Sequence, residues 1–169
     1  MNKLLLPLLI ISMFYGKVNA QSTADSSAIK KSTLKTLSDA QYTALLNGND
    51  LYGMALAGEL NHYPSPDKVL KYRMELDLSP IQVSKITAIS KELHRKKLEM
   101  GLIIIHNERT LDSIFKYHAL NNGSLIFYTN RYGLYQGELR NTILQACLVT
   151  RTLLSQQQIN ELYALKKAD

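Results

Sequence analysis

Four histidines and one cysteine are the side chains of this sequence best suited to metal or covalent chemistry, and their spacing is poor for both. His62, His94, His106 and His118 include no pair at i, i+3 or i, i+4, the spacings that set two ligands on one helix face. Steps of twelve turn each histidine about 120° from the last. A metal site would need ligands from different segments or chains, for instance His106 with Glu108 and Met100. A thioether there would favour copper(I), whereas Met100 also fits as core. No cofactor is required, and a divalent metal stays open as an alternative. The single Cys147 excludes an internal disulfide framework and a CxxC zinc site. It reads either as a packed thiol or as a bridge between two chains. No GxSxG elbow, P-loop or HExxH is present, and nothing places Cys147 beside a histidine. The expectation is a protein without enzymatic activity.

The cations have more pattern. Lys85, Lys91, Arg95, Lys96 and Lys97 form a basic stretch, with Glu92 and Glu99 the nearest acids. By helical geometry Lys91 and Arg95 point away from the apolar seam described below, while Lys96 and Lys97 flank it. Lys85, Lys96 and Lys97 are therefore the candidate binding residues. They would form a cationic cradle for acidic segments of a partly unfolded protein, with long-range attraction drawing those segments in. The plainer reading is a solvated helix face. Nine tyrosines follow the first twenty residues, and Tyr128, Tyr132 and Tyr135 read as packing or as an aromatic binding surface.

Overall charge misleads until the first twenty residues are read. The chain has 169 residues, a net charge of +6 and a pI near 9.3, which suits one domain with an appendage and suggests nucleic acid or an acidic surface as partner. Residues 1–20, however, read as a secretory signal: Lys3, an apolar run Leu4 to Tyr15, then Val18-Asn19-Ala20 as the cleavage site. That run is short of the roughly 20 residues needed to span a bilayer, so no stable membrane span is expected, a retained anchor being the alternative. Cleavage removes Lys3 and Lys17 and no acid, lowering +6 to +4. Outside the cytoplasm, nucleic acid is not an expected partner.

The elements that must position these residues are helices. Residues 21–36 are rich in Ser, Thr and Lys and read as a flexible leader. Leu-Ser-x-x-Gln then recurs at Leu37–Gln41, Leu78–Gln82 and Leu154–Gln158. Ser-x-x-Gln is a capping box, and Leu before each cap with Tyr42, Val83 or Ile159 four after it is a hydrophobic staple. Three helices are predicted to start near residues 39, 80 and 156. Ser65-Pro66-Asp67 predicts a fourth, running to about Leu76, and Ser124 is a candidate cap after the Asn121-Asn122-Gly123 break.

From Pro80 to about Tyr117, Ile86, Leu93, Met100, Asn107 and Ile114 recur at sevens. From Leu125 to Leu153, so do Leu125, Tyr132, Leu139, Ala146 and Leu153. These helices would be roughly 57 and 43 Å long. The short turn between them predicts an antiparallel hairpin. Asn107 on an apolar series would fix register, or mark an exposed kink near Gly101. Gly133 and Gly137 lie off the seam and weaken the helix without an evident packing reason. The expected fold class is all-α: a long antiparallel helical hairpin with short flanking helices, completed as a dimer because two helices alone leave an apolar seam open.

This order of features resembles the LTxxQ, or Spy/CpxP-like, group of periplasmic proteins, which includes heavy-metal sensors and zinc-resistance-associated relatives. The matching residues are Leu76-Asp77-Leu78-Ser79-Pro80-Ile81-Gln82 and Leu153-Leu154-Ser155-Gln156-Gln157-Gln158. The segment from Gly53 to Pro64 and the stretch from Asn107 to Phe115 also resemble the group, so the likeness covers residues 37–167 as one helical domain. Ser stands where the group's box usually has Thr, a change neutral for capping. His-rich terminal tracts of the zinc-binding relatives are missing. The resemblance implies a small periplasmic protein, usually a homodimer, acting as an ATP-independent chaperone or envelope-stress adaptor that binds partly unfolded envelope proteins. A zinc, copper or nickel sensor on the same fold, or a helical interaction module without chaperone activity, are the alternatives it leaves.

Overall fold

The computed structural model describes residues 29–165. The signal, the first eight residues of the leader and residues 166–169 lie outside the described residues. Six helices follow one another: α1 (Asp39–Asn47), α2 (Leu56–Glu59), α3 (Pro66–Lys71), α4 (Pro80–Lys116), α5 (Asn122–Thr152) and α6 (Gln156–Leu165). No strand occurs among the described residues, and none of the described helices is long and apolar enough to cross a membrane.

All three boxes close as capping chemistry requires. The Gln41, Gln82 and Gln158 N–H groups donate to the hydroxyls of Ser38, Ser79 and Ser155 at 3.2, 3.3 and 3.1 Å. Each Gln side-chain oxygen accepts from its Ser N–H at 2.9 Å. Two boundaries differ from expectation. Helix α3 ends at Lys71 rather than near Leu76, because the chain then winds through tight turns with Asp77 at φ 44°. Those turns drop Leu76 into the core at 2% exposure. Ser65 makes no side-chain cap there. For α5 the cap is Asn121, not Ser124. Asn121 Oδ1 accepts from the Ser124 N–H at 2.8 Å, and the Ser124 hydroxyl accepts from the Asn121 N–H at 3.1 Å. Asn is among the strongest N-cap residues, and Ser124 fills the role Gln has in the other boxes.

Helices α4 and α5 pack along each other as a long pair. Gln82, near the start of α4, reaches Leu153 just beyond α5, and Asn107 in the second half of α4 reaches Tyr128 near the start of α5. At one end Val69, Leu76, Ile86, Leu154, Ile159 and Leu162 form a core joining α3, α4 and α6. Leu93, Ile104, Leu139, Ile143 and Ala146 form the middle of the pair. A third cluster sets Leu34 and Leu37 on Ile105. The last residues of the leader are thereby tied down: the Lys30 N–H donates to the Thr43 hydroxyl at 2.8 Å and the Ser32 N–H to Asp39 Oδ1 at 2.7 Å.

Gly101 explains how α1 docks. A Cβ there would stand 2.1 Å from the Leu45 carbonyl oxygen, so only glycine lets the α1 backbone cross α4 this closely. Gly133 and Gly137 are the opposite case, with nothing within 4 Å of an added Cβ.

Candidate functional site

The three candidate lysines are not brought together. Lys97 is half-buried, and its stem lies over Gly48 on the side covered by α1: a Cβ on Gly48 would be 3.1 Å from Lys97 Cβ. Lys96 is exposed and lines a groove on the other side. Lys85 falls on nearly the same side of α4 as Lys96, but eleven residues or about 16 Å away. Arg95 is held by Glu92 at 2.8 Å and Glu99 at 3.0 Å, which removes its charge from any cradle. Its hydrogen bond to Glu92 lowers the Glu92 pKa.

One side of the α4–α5 pair is lined by these two helices alone. Two grooves run along it. The first, about 410 Å³, lies between Ala88, Ile89, Glu92, Leu93 and Lys96 of α4 and Glu138, Asn141, Thr142, Gln145, Ala146 and Val149 of α5. Its rim carries both signs of charge. The second, about 610 Å³, lies between Leu102, Ile103, His106, Asn107 and Thr110 of α4 and Phe127, Tyr128, Arg131 and Tyr135 of α5. It is apolar and aromatic, with no acid in its wall. The Arg131 guanidinium sits 5.0 Å from the Phe127 ring and 5.3 Å from the Tyr135 ring, and its Nε donates to the Tyr135 hydroxyl at 2.7 Å. Two aromatic faces and a hydroxyl hold this cation in one orientation. No carboxylate pairs with it among the described residues.

The groove floor is specified by Asn107, which is 3% exposed and donates Nδ2 to the Tyr128 carbonyl at 3.1 Å. Of the two sequence readings, register rather than an exposed kink is what its position serves. Leu102 and Phe127 of its lining stand exposed. Sequence reasoning named Tyr128 and Tyr135 but missed Arg131. Its signal was present: Phe127 and Tyr135 four residues to either side of a cation on one helix face.

The other chemistry-bearing residues are dispersed. His62 stacks on the Tyr163 ring at 4.3 Å, while His94, His106 and His118 are exposed. His106 and Glu108 lie about 200° apart around α4, and Met100 packs beside the middle cluster, so that trio does not converge. No group of three or more His, Cys, Asp or Glu able to hold a metal occurs among the described residues. Cys147 is 1% exposed, which removes it from any bridge between chains in the folded state. Burial, then the Glu59 carboxylate, pushes its thiol up to about 11. Burial and Glu59 likewise push Tyr163 up to about 12, and its hydroxyl donates to the Glu59 carbonyl at 2.7 Å.

Gln82 and Gln158 do more than cap. Gln82 Nε2 donates to the Leu153 carbonyl at 2.8 Å and to Gln158 Oε1 at 2.9 Å. Gln158 Nε2 donates to the Leu76 carbonyl at 3.2 Å and to Gln82 Oε1 at 3.3 Å. The second and third boxes thus clasp one another through their side-chain amides. In the first box Gln41 Nε2 donates to the Tyr52 hydroxyl instead, at 2.9 Å.

Comparison with known proteins finds no matching family model, no matching curated protein and no matching solved structure.

Proposed function

We propose that the chain is a periplasmic, non-enzymatic holding protein of the Spy/CpxP-like type, exported by its first twenty residues. It binds partly unfolded proteins without ATP on the bare side of the α4–α5 pair, read as an antiparallel hairpin, and works as a homodimer. The observation that carries this reading is the second groove. It combines open apolar and aromatic surface with an oriented, unpaired Arg131 and no competing acid. Apolar side chains exposed side by side favour association with other apolar surface. The guanidinium adds affinity for acidic or carboxylate-bearing segments at the rim, an attraction that salt screens. Lys96 belongs to the neighbouring groove and would extend the same surface. The capping boxes and their clasp support the resemblance to the LTxxQ group by giving the two motifs a joint structural role.

The test is suppression of aggregation of a chemically denatured client by the chain from residue 21 onward, with no nucleotide added. Near-stoichiometric suppression that weakens with salt is expected. Leu102→Glu with Thr110→Glu places two charges in the groove and should abolish most of it while circular dichroism stays helical. No suppression over several clients, or full suppression by the double variant, would sink the reading.

A further inference from the structure

The turn that joins α4 to α5 combines exposed apolar residues with positive charge. Phe115 and Tyr117 are 52% and 70% exposed there, and Leu125 and Ile126 are exposed beside them. Phe115 lies in the last turn of α4, Tyr117 directly after that helix, and Ile126 about 6 Å into α5. From Ser113 to Gly137 the chain has no Asp or Glu, while Lys116, His118 and Arg131 fall inside that run. Lys116 holds its ammonium 5.1 Å from the Tyr117 ring and has no carboxylate partner among the described residues. Exposed apolar residues at the opposite end of the pair lack this setting, since Glu75 and Asp77 follow directly on exposed Met74.

We propose that this tip is a membrane-surface contact: it seats on an anionic lipid bilayer, with Phe115, Tyr117 and Ile126 in the headgroup layer and Lys116 on lipid phosphates, without spanning the bilayer. Three features favour a bilayer over a protein partner. Tyrosine, with an apolar ring and a polar edge, settles at the headgroup level of membranes. The surface potential of anionic lipid is negative, and each Lys or Arg close to it strengthens the attachment. The apolar residues also project from the end of the helix pair, and none of Phe115, Tyr117, Leu125 or Ile126 lines either groove between α4 and α5. A protein partner requires a matched, close-packed surface, whereas a fluid headgroup layer conforms to a small protrusion. Interfacial segments bury their apolar side about 5–10 Å deep, which covers the distance from the start of α5 to Ile126. The contact leaves the groove walls unused, so it is separate from the holding of clients.

Sedimentation of the chain from residue 21 onward with lipid vesicles tests the contact. Binding is expected to phosphatidylcholine vesicles that include phosphatidylglycerol, roughly tenfold weaker to phosphatidylcholine alone, and reversed by salt. Phe115→Ser with Ile126→Ser should weaken it roughly thirtyfold with unchanged helical signal. Lys116→Gln should weaken it about fivefold, whereas Lys91→Gln, which removes an equal charge elsewhere on α4, should stay within about twofold of the original. Because the chain has no tryptophan, Phe115→Trp supplies a single reporter. Its emission should shift to the blue on the anionic vesicles, and that of Met74→Trp should not. No binding to anionic vesicles, equal losses from Lys116→Gln and Lys91→Gln, binding that survives the double Ser variant, or an unshifted Phe115→Trp emission would each overturn the proposal. Client suppression in solution should persist in the double Ser variant, so the tip and the groove are read separately. Its loss there, with no vesicle binding by the original chain, would assign the tip to protein instead of lipid.

Discussion

The two ends of the α4–α5 pair are built from the same kind of sequence and differ in nearly everything else. At the end where α4 begins, α3 and α6 bury Ile86, Leu154, Ile159 and Leu162 with Val69 and Leu76, and the Gln82–Gln158 amides lock two helix starts together. At the end joined by the Asn121 turn, no residue from Glu108 to Glu138 is buried. Both stretches are amphipathic, so helix propensity does not separate them. What separates them is the number of neighbours that bury the seam, since tertiary packing supplies most helical stability in proteins. The braced end is a scaffold. The bare end keeps apolar surface in water, a cost that binding another chain would relieve.

The contrast is sharpest between glycines. Gly101→Ala drives a methyl into the Leu45 carbonyl, 2.1 Å away, and α1 must leave α4 or both backbones must shift. The expected loss is about 3 kcal/mol, at the upper end of overpacking costs and enough to threaten folding of a small domain. Urea unfolding followed by circular dichroism measures it. A loss below about 1 kcal/mol would mean that α1 is not fixed against the middle of α4.

Alkaline pH should act on the braced half as well. Cys147 and Tyr163 are acids whose folded pKa values lie above their unfolded ones, raised to about 11 and about 12. Their neutral forms are favoured by folding, so the stability they contribute is complete below about pH 9 and is lost as pH rises through 11 to 12. For the buried thiol this is about 2 kcal/mol. Thermal melts from pH 8 to 11.5 should show the decline, and Cys147→Ala should flatten its first part after the cost of the cavity is subtracted. Thiol labelling at pH 8 should be slow in the native protein and fast in urea.

The Gln82–Gln158 clasp is the next test. Gln82→Ala and Gln158→Ala each remove a box and half of the amide pair. A double-mutant cycle is expected to show coupling of about 1 kcal/mol, because the second substitution removes groups the first has already orphaned. Gln41→Ala, in a box whose amide reaches only Tyr52, should add independently of both. Additive behaviour of Gln82 and Gln158 would reduce the boxes to separate caps.

How far all this could be read from sequence depends on how local the physics is. The helix starts at Asp39, Pro80 and Gln156 are legible because a capping box closes within four residues. The first seam is legible because periodicity is a property of one helix. The clasp is not: Gln82 and Gln158 are 76 residues apart, and each is fully explained by its own cap. Asn121 and Ser124 are both good caps, and the sequence reading named Ser124 where the structure uses Asn121. Nor did it separate Gly101 from Gly133, since a glycine in a helix records that space is needed without recording by what. Arg131 was hidden because attention went to the run of lysines, whereas a single cation between two aromatic rings is the better-defined group.

The smallest expected effect has the opposite sign to the first. Gly133→Ala adds a methyl that meets nothing within 4 Å and replaces a poor helix former in an exposed turn of α5. It should raise stability by roughly 0.5–1 kcal/mol by helix propensity alone. Urea unfolding followed by circular dichroism measures the gain. A loss in place of the gain would mean that the exposed turn at Gly133 meets something the single chain does not supply, and the bare end would then be less bare than its exposure shows.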